Sequence, residues 1–214
     1  TAKEAKEETL RMLMVYKKFF TDYLAIPAIV GRKTDKEKFA GAEYTYTVEA
    51  LMYNGVSLQS GTSHYFGQKF SKPFGITFNN RNNELENVYQ TYWGTSTRMI
   101  GALIIVHSDD NGLVLPPKIS PRQVVIVPIG TDEAVMRKAD EILLDLQDAG
   151  ITAFVDRSEK SPGFKFAEHE TNGIPVRIEV GPKDLEQNQI VVARRDTREK
   201  MTVSLDEDVR EYVE

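Results

Sequence analysis

The sequence contains no cysteine, and it has one tryptophan and three histidines among its 214 residues. The absence of thiols excludes disulfide bonds and thiolate metal sites. No apolar run reaches the length of about 18 residues that crosses a membrane, and the polar residues 1–8 do not form a signal peptide. We therefore expect a cytoplasmic protein that does not act at a membrane.

The chain also lacks the positive charge by which many proteins bind nucleic acids, because its net charge is −5. Residues 1–120 hold 14 Lys and Arg against 12 Asp and Glu, whereas residues 121–214 hold 13 against 20. We expect no DNA partner, and any RNA contact in the second part must come from a local cluster of side chains.

The first part of the chain has the patterns of a helix and several strands. Residues 3–23 repeat apolar side chains at helical spacing, and residues 44–53 and 57–66 are strand-like and flank the hairpin signal Asn54-Gly55. Residues 88–93 form another strand-like run. These patterns predict an antiparallel sheet backed by helices.

The second part has the pattern of a small α/β layer structure. The β-branched run at 123–129 predicts a buried strand, a helix follows from 131 to about 150, and 151–155 predicts a second strand. A strand, a helix and a strand in this order predict parallel pairing. Three further strands are expected, at 176–180, 189–193 and 201–204.

Three prolines separate the two parts, at positions 116, 117 and 121. We therefore expect a first domain over residues 1–115, a linker over 116–122 and a second domain over 123–214.

The segment around Arg98 carries the strongest chemical signal. A strand ends at Gly94, the small residues Thr95-Ser96-Thr97 follow, and Arg98 then begins a short run that is apolar on nearly every helical face. Such a helix is expected to be buried. An arginine beside the free N–H groups of a helix start suits a nucleotide phosphate or base.

This segment resembles motif 3 of the class II aminoacyl-tRNA synthetases. The segments Phe39-Ala-Gly-Ala42, Gly61-Thr-Ser-His64, Pro162-Gly-Phe-Lys-Phe166 and Val192-Ala-Arg-Arg-Asp196 extend the resemblance to the prolyl-tRNA synthetase family. The resemblance implies the later half of the antiparallel, helix-backed catalytic domain, followed by an α/β anticodon-binding domain with a mixed sheet.

The resemblance also implies the residues of an ATP and proline site. Arg98 is the implied catalytic residue, on the γ-phosphate of ATP. The other implied ATP contacts are Gln59, Thr62, Ser96 and Thr97, and the implied proline contacts are Ser63, His64 and Trp93. From the residue types alone, a lone histidine such as His64 is more often a satisfied core or surface group, and Trp93 is more often a core residue.

Four residues of the second part match the family's anticodon-reading positions, namely Glu170, Arg177, Asp184 and Lys200. Arginine and carboxylate side chains suit guanine edges, and proline anticodons end in two guanines. A surface salt-bridge network is the alternative. Arg194, Arg195 and Arg198 supply either phosphate contacts or solubility, and His169 is expected to be exposed.

No metal ligands are expected in the chain, since Asp109-Asp110 before Asn111-Gly112 indicates a turn rather than a Mg²⁺ site. ATP and Mg²⁺ are the implied cofactors of the full-length enzyme.

The implied function is ATP-dependent attachment of proline to its tRNA by a homodimeric enzyme. Motifs 1 and 2 of the class have no counterpart in this sequence, so we expect the chain alone to be inactive. Two alternatives stay open: a non-catalytic, synthetase-like module that binds RNA or protein, and a class II synthetase for threonine, glycine or histidine.

Overall fold

The computed structural model describes residues 1–213, and the chain divides into two compact units after Val106. Unit 1 ends at Val106, and unit 2 begins at His107. The division lies earlier than the expected linker because Leu113 and Leu115 donate backbone hydrogen bonds to Thr171 and Gly173 of unit 2. The extent of the linker at 116–122 stays a prediction.

Unit 1 is a four-stranded antiparallel sheet with one long helix packed on it. Its elements are α1 (Ala2–Asp22), β1 (Ile29–Arg32), β2 (Tyr44–Leu51), β3 (Ser57–Gly67), β4 (Thr77–Asn79), β5 (Leu85–Asn87), β6 (Gln90–Thr95) and α2 (Arg98–His107). The strand order is β1-β2-β3-β6, and β4 and β5 form a separate hairpin. The predicted helix, hairpin and antiparallel sheet are confirmed, whereas β1, β4 and β5 were missed.

Helix α1 covers one face of this sheet. Thr1 and Glu4 form a capping box at its start, and Leu13 and Phe20 are among its buried residues. On β3, the Ser63 hydroxyl donates to the carbonyl of Thr9 at 2.7 Å, so Ser63 lies on the covered face. Side chains alternate along a strand, so Thr62 and His64 lie on the opposite face, which we call the ligand face.

The prediction that the apolar helix α2 is buried was wrong for the described part of the chain. Only Ala102 and Leu103 are buried, whereas Ile100, Ile104 and Ile105 are 57%, 43% and 42% exposed. The buried part of this helix is therefore one narrow stripe. An apolar pattern predicts that a face can be covered, but it does not say which part of the molecule covers it.

Unit 2 is a five-stranded mixed sheet with helices on both faces. Its elements are β7 (Val124–Pro128), α3 (Glu133–Asp148), β8 (Ala153–Val155), α4 (Pro162–Thr171), β9 (Val176–Val180), α5 (Pro182–Glu186), β10 (Gln189–Arg194) and β11 (Lys200–Ser204). The strand order is β11-β10-β9-β7-β8. Strand β7 is parallel to β8 and β9, whereas β10 is antiparallel to both of its neighbours. The predicted β-α-β unit and mixed sheet are therefore confirmed, and helices α4 and α5 were missed.

Alternating residues of the central strands form two cores. Val124, Ile126 and Ile178 pack with α3, whereas Val125 and Val127 pack with Phe166 of α4 on the other face. This double burial explains why the strand at 124–128 is apolar throughout.

Candidate functional site

A β-bulge brings three predicted site residues of unit 1 onto the ligand face. Val48 of β2 pairs with Gly61, but the next residue of β2 pairs with Gln59, so Ser60 is an extra residue in β3. In a regular strand Gln59 and Thr62, three positions apart, would point to opposite faces. Because the bulge adds one residue between them, Gln59 and Thr62 instead lie on the same face of the sheet, together with His64.

Arg98 lies beside Gln59 at the edge of this face. Its NH1 group donates to the backbone carbonyl of Gln59 at 3.2 Å, and its backbone N–H donates to the Ser96 hydroxyl at 3.3 Å. Arg98, Ser96 and Thr97 are exposed, and the Gln59 amide oxygen accepts a hydrogen bond from Lys33. The predicted ATP contacts of β3 and of the start of α2 thus meet at one place.

His64 lines an aromatic pocket of about 490 Å³. The pocket is lined by Phe39, His64, Phe66, Phe70, Phe74, Gln90 and Tyr92. His64 stacks on Tyr92 with ring centroids 6.0 Å apart, and its Nδ1 lies 2.9 Å from the Thr45 hydroxyl. Burial, with a smaller contribution from the charge of Lys33, lowers the pKa of His64, so the ring is neutral at pH 7.

The structure does not bring Ser63 and Trp93 together with His64. These two residues pair across β3 and β6 and share the face that α1 covers. Tyr92, one position earlier, pairs with His64 and occupies the ligand face. Sequence reasoning missed Tyr92 and Thr45 because alternation along one strand does not reveal its register with the next.

In unit 2, three of the four predicted anticodon residues form one charged cluster. Arg177 donates from NH1 to Glu170 at 2.7 Å and from Nε to Glu179 at 3.0 Å. Lys200 lies 2.9 Å from the same Glu179 oxygen. The guanidinium of Arg177 also stacks on Phe166, 4.1 Å from the ring centroid. We call these five residues the Arg177 cluster, and sequence reasoning missed Glu179 and Phe166 in it.

Asp184 lies apart from this cluster, in the short helix α5 that follows β9. Across the described residues, no hydrogen bond or ion pair joins it to Arg177 or Lys200.

The prediction that His169 is exposed was wrong. His169 is 8% exposed, and its Nε2 lies 2.8 Å from an oxygen of Asp156. Lys165, also buried, donates to the backbone carbonyl of Asp156 at 2.9 Å. Burial alone raises the pKa of Asp156, but hydrogen bonds from Ser158 and His169 outweigh that effect and lower it to about 2. The acidic neighbours of His169 in sequence hid its position on the inner side of α4.

The arginines of the Ala-Arg-Arg-Asp segment have carboxylate partners. Arg195, 4% exposed, contacts both oxygens of Asp109 at 2.6 and 2.8 Å, and Arg198 lies 2.8 Å from Asp109. Arg194 pairs with Asp196. The expected turn at Asp109 is present, since its carboxylate also accepts from the Asn111 backbone. Asp109 therefore connects this turn to the arginines that follow β10.

Within residues 1–213, no group of three or more histidine or acidic side chains is placed to hold a metal ion. In the same part of the chain, no helix combines the length and the hydropathy that a membrane crossing requires.

Comparisons with known proteins identify relatives of this chain. The Anticodon binding domain family matches residues 123–214. Proline–tRNA ligases of Lachnospira eligens and Lachnoclostridium phytofermentans are 58% and 60% identical to this chain over 97% of its length. The chain spans 43% of the length of these curated relatives.

One solved structure is similar to this chain over its whole length. The prolyl-tRNA synthetase from Cryptosporidium parvum, complexed with L-proline and AMP, matches with a TM-score of 0.91 and 38% identity. The match covers 100% of this chain and 48% of that one. The antiparallel sheet with its Arg98 segment and the mixed-sheet unit that follows define part of a class II aminoacyl-tRNA synthetase. Within that class, the chain belongs to the prolyl-tRNA synthetase family.

Proposed function

We propose that this chain is part of a proline–tRNA ligase. Unit 1 contributes to the activation of proline with ATP, and unit 2 binds the anticodon of the proline tRNA. The names of the relatives and the proline and AMP bound to the C. parvum enzyme support this assignment.

The ATP contacts are Arg98 with Gln59, Thr62, Ser96 and Thr97. Activation is an in-line attack by the proline carboxylate on the α-phosphate, so it needs positioning and charge stabilisation more than proton transfer. The exposed guanidinium of Arg98 binds the γ-phosphate, and its hydrogen bond to the Gln59 carbonyl directs it across the ligand face. Arg98 therefore offsets negative charge as pyrophosphate leaves.

Mg²⁺ enters this scheme with the nucleotide. The described residues offer no carboxylate cluster of their own for it, and magnesium commonly binds through substrate phosphates.

Proline binds at the aromatic pocket of His64. Tyr92 and Phe39 supply apolar ring faces beside the imidazole, which suits a small saturated ring. The amide oxygen of Gln90 is buried and has no hydrogen-bond partner in the described part of the chain. It accepts a hydrogen bond from an N–H group of the bound ligand. Ser63 and Trp93 support the β3–β6 pair from the opposite face.

The observation that carries the anticodon assignment is the Arg177 cluster, in which Glu170, Arg177 and Lys200 lie on one side of the sheet. Their mixed charges supply both donors and acceptors, as guanine edges require. Asp184 contributes from α5. The cluster also explains how a unit with excess negative charge can bind RNA locally.

The test is a titration of the 214-residue chain with two anticodon hairpins, followed by fluorescence anisotropy. One hairpin carries the two guanines of a proline anticodon, and the other carries adenines there. We expect the guanine hairpin to bind roughly tenfold or more tightly, since a bidentate contact discriminates by about that factor. Arg177→Ala should abolish the difference, whereas Arg157→Ala, which breaks an exposed pair with Asp140, should preserve it. Equal binding of both hairpins by the unmodified chain would refute the assignment.

The longer enzyme of which this chain is a part is proposed to be a cytoplasmic homodimer. Motif 1, the dimer segment of the class, has no counterpart among these residues.

A further inference from the structure

We propose that Glu179 is a positioning residue for anticodon recognition. Its buried carboxylate holds Arg177 and Lys200 in the orientation in which these cations contact a guanine. The inference rests on the proposed function of unit 2, and it assigns a role to a residue outside the four predicted anticodon contacts.

The contacts of Glu179 account for both cations. One of its oxygens lies 3.0 Å from Nε and 3.0 Å from NH2 of Arg177, and the same oxygen lies 2.9 Å from the Lys200 ammonium. The side chain of Glu179 is 8% exposed, whereas that of Lys200 is 51% exposed. The carboxylate is therefore an inner anchor, and the lysine extends from it towards solvent.

The register of the sheet explains why one carboxylate reaches both cations. Lys200 pairs with Ala193 on β10, and Ala193 pairs with Arg177 on β9, so the three residues form one row across the strands. The small side chain of Ala193 leaves space above the middle of the row. Glu179, two positions after Arg177, lies on the same face of β9 and can bridge this space.

Phe166 and Glu170 also contact the Arg177 guanidinium, Phe166 with its ring face and Glu170 at NH1. The Phe166 ring lies under the guanidinium, 4.1 Å away, and also 5.4 Å from the Lys200 ammonium. Glu170 accepts from NH1, and its side chain is 41% exposed. Nε and one side of NH2 face Glu179, so N–H groups remain on both terminal nitrogens of Arg177. These groups match the two acceptors of a guanine edge.

The charge balance at this site makes Glu179 more than a packing residue. Two cations lie beside one buried carboxylate, and Glu170 lies at the exposed side. Without the Glu179 charge, Arg177 and Lys200 would repel each other across Ala193 and separate. Their donors would then lose the fixed spacing on which discrimination between bases depends.

The experiment compares Glu179→Gln with Glu168→Gln in the full 214-residue chain, using the same two hairpins. Glu168 lies on α4 and pairs with Lys160, so its substitution removes the same charge without touching the Arg177 cluster. We expect Glu179→Gln to lower the ratio of guanine-hairpin to adenine-hairpin affinity by roughly tenfold. Its affinity for the adenine hairpin should stay equal or rise, because the unit has lost negative charge. The Glu168→Gln ratio should equal that of the unmodified chain.

Glu179→Asp provides a second variant, which keeps the charge and shortens the side chain. We expect it to lower the same ratio, and circular dichroism with a thermal melt establishes that each variant is folded. Discrimination by the unmodified chain that both Glu179 variants retain would overturn the positioning role and leave the proposed function intact. Failure of the unmodified chain to discriminate would overturn both.

Discussion

At the residue scale, the direction of the Thr45 hydroxyl proton determines which ring nitrogen of His64 is protonated. Thr45 is 2% exposed, and its oxygen already accepts a hydrogen bond from the Phe39 backbone at 3.2 Å. The other hydrogen-bond contact of this hydroxyl within residues 1–213 is with Nδ1 of His64, 2.9 Å away, so we expect the buried proton to point to Nδ1 rather than to stay without an acceptor. The neutral imidazole then carries its own proton on Nε2, because only one ring nitrogen of a neutral histidine is a donor.

Nitrogen-detected NMR of the three imidazoles tests this assignment. We expect His64 to be the Nε2–H tautomer and to titrate below its ordinary pKa of about 6.5, because burial disfavours the charged ring. Thr45→Val, which removes the donor at nearly constant volume, should shift His64 towards the other tautomer. The exposed-site variant Thr77→Val serves as the control. An Nδ1–H ring in the unmodified chain would contradict the prediction.

Asp156 links the stability of unit 2 to pH. Its pKa is lowered to about 2 in the folded chain, against an ordinary value of about 3.9. A lowered carboxyl pKa stabilises the fold fully above the unfolded pKa, and this contribution disappears as the pH falls from about 4 to about 2. Urea unfolding should show that Asp156→Asn is destabilising at pH 7 and that its difference from the unmodified chain narrows below pH 4. Asp148→Asn, at an exposed position, should give a small difference at every pH. A constant Asp156→Asn difference would refute the linkage.

At the element scale, β9 carries both core residues and part of the Arg177 cluster. Its even-numbered residues, including Ile178, pack against α3, whereas Arg177 and Glu179 occupy the other face. The core packing of the even-numbered residues holds the strand in place. The strand in turn sets the spacing of the charged residues on its other face. The Arg177 cluster on this central strand is therefore held more rigidly than it would be on a loop.

Truncation of an apolar side chain should have different effects in β9 and in α2. Ile178→Ala, at a fully buried position, should lower the free energy of unfolding by about 2–5 kcal/mol, because it leaves a cavity. Ile104→Ala in the exposed stripe of α2 should change it by less than about 0.5 kcal/mol. Urea denaturation with separate probes for the two units measures both values. A large effect of Ile104→Ala would show that the helix is covered in solution.

At the scale of the whole molecule, we propose that the chain provides one side of a phosphate-binding site. Arg98 is the arginine that the geometry places beside Gln59. The second arginine, which the family resemblance assigns to motif 2, has no counterpart among the 214 residues. The chain also spans 43% of the length of its relatives.

The purified chain should therefore fail to catalyse proline-dependent exchange of pyrophosphate into ATP. Exchange depends on aligning the α-phosphate with the proline carboxylate, and one arginine on the γ-phosphate does not align them. The assay uses the chain with and without proline, and a complete prolyl-tRNA synthetase serves as the positive control. Proline-dependent exchange above the proline-free background would show that the chain holds a complete activation site.

The sequence by itself determined the local structure and the family. Helical spacing over residues 3–23, the Asn54-Gly55 turn and the apolar run at 124–128 are short-range patterns, and each produced the predicted element. The Gly-Thr-Ser-His and Arg98 segments carried the resemblance because a motif is recognised by its residue types and their order, which need no structure. The missed helix α4 begins at Pro162-Gly163, where a turn signal concealed the start.

Only the tertiary structure decided which side chains meet. The bulge at Ser60 placed Gln59 with Thr62, and the β3–β6 register placed Tyr92, rather than Trp93, beside His64. The row across β9, β10 and β11 brought Lys200 to Glu179, 21 positions away in sequence. Strand register and packing depend on contacts between residues distant in the chain, and local patterns of side-chain type contain no information about those distances.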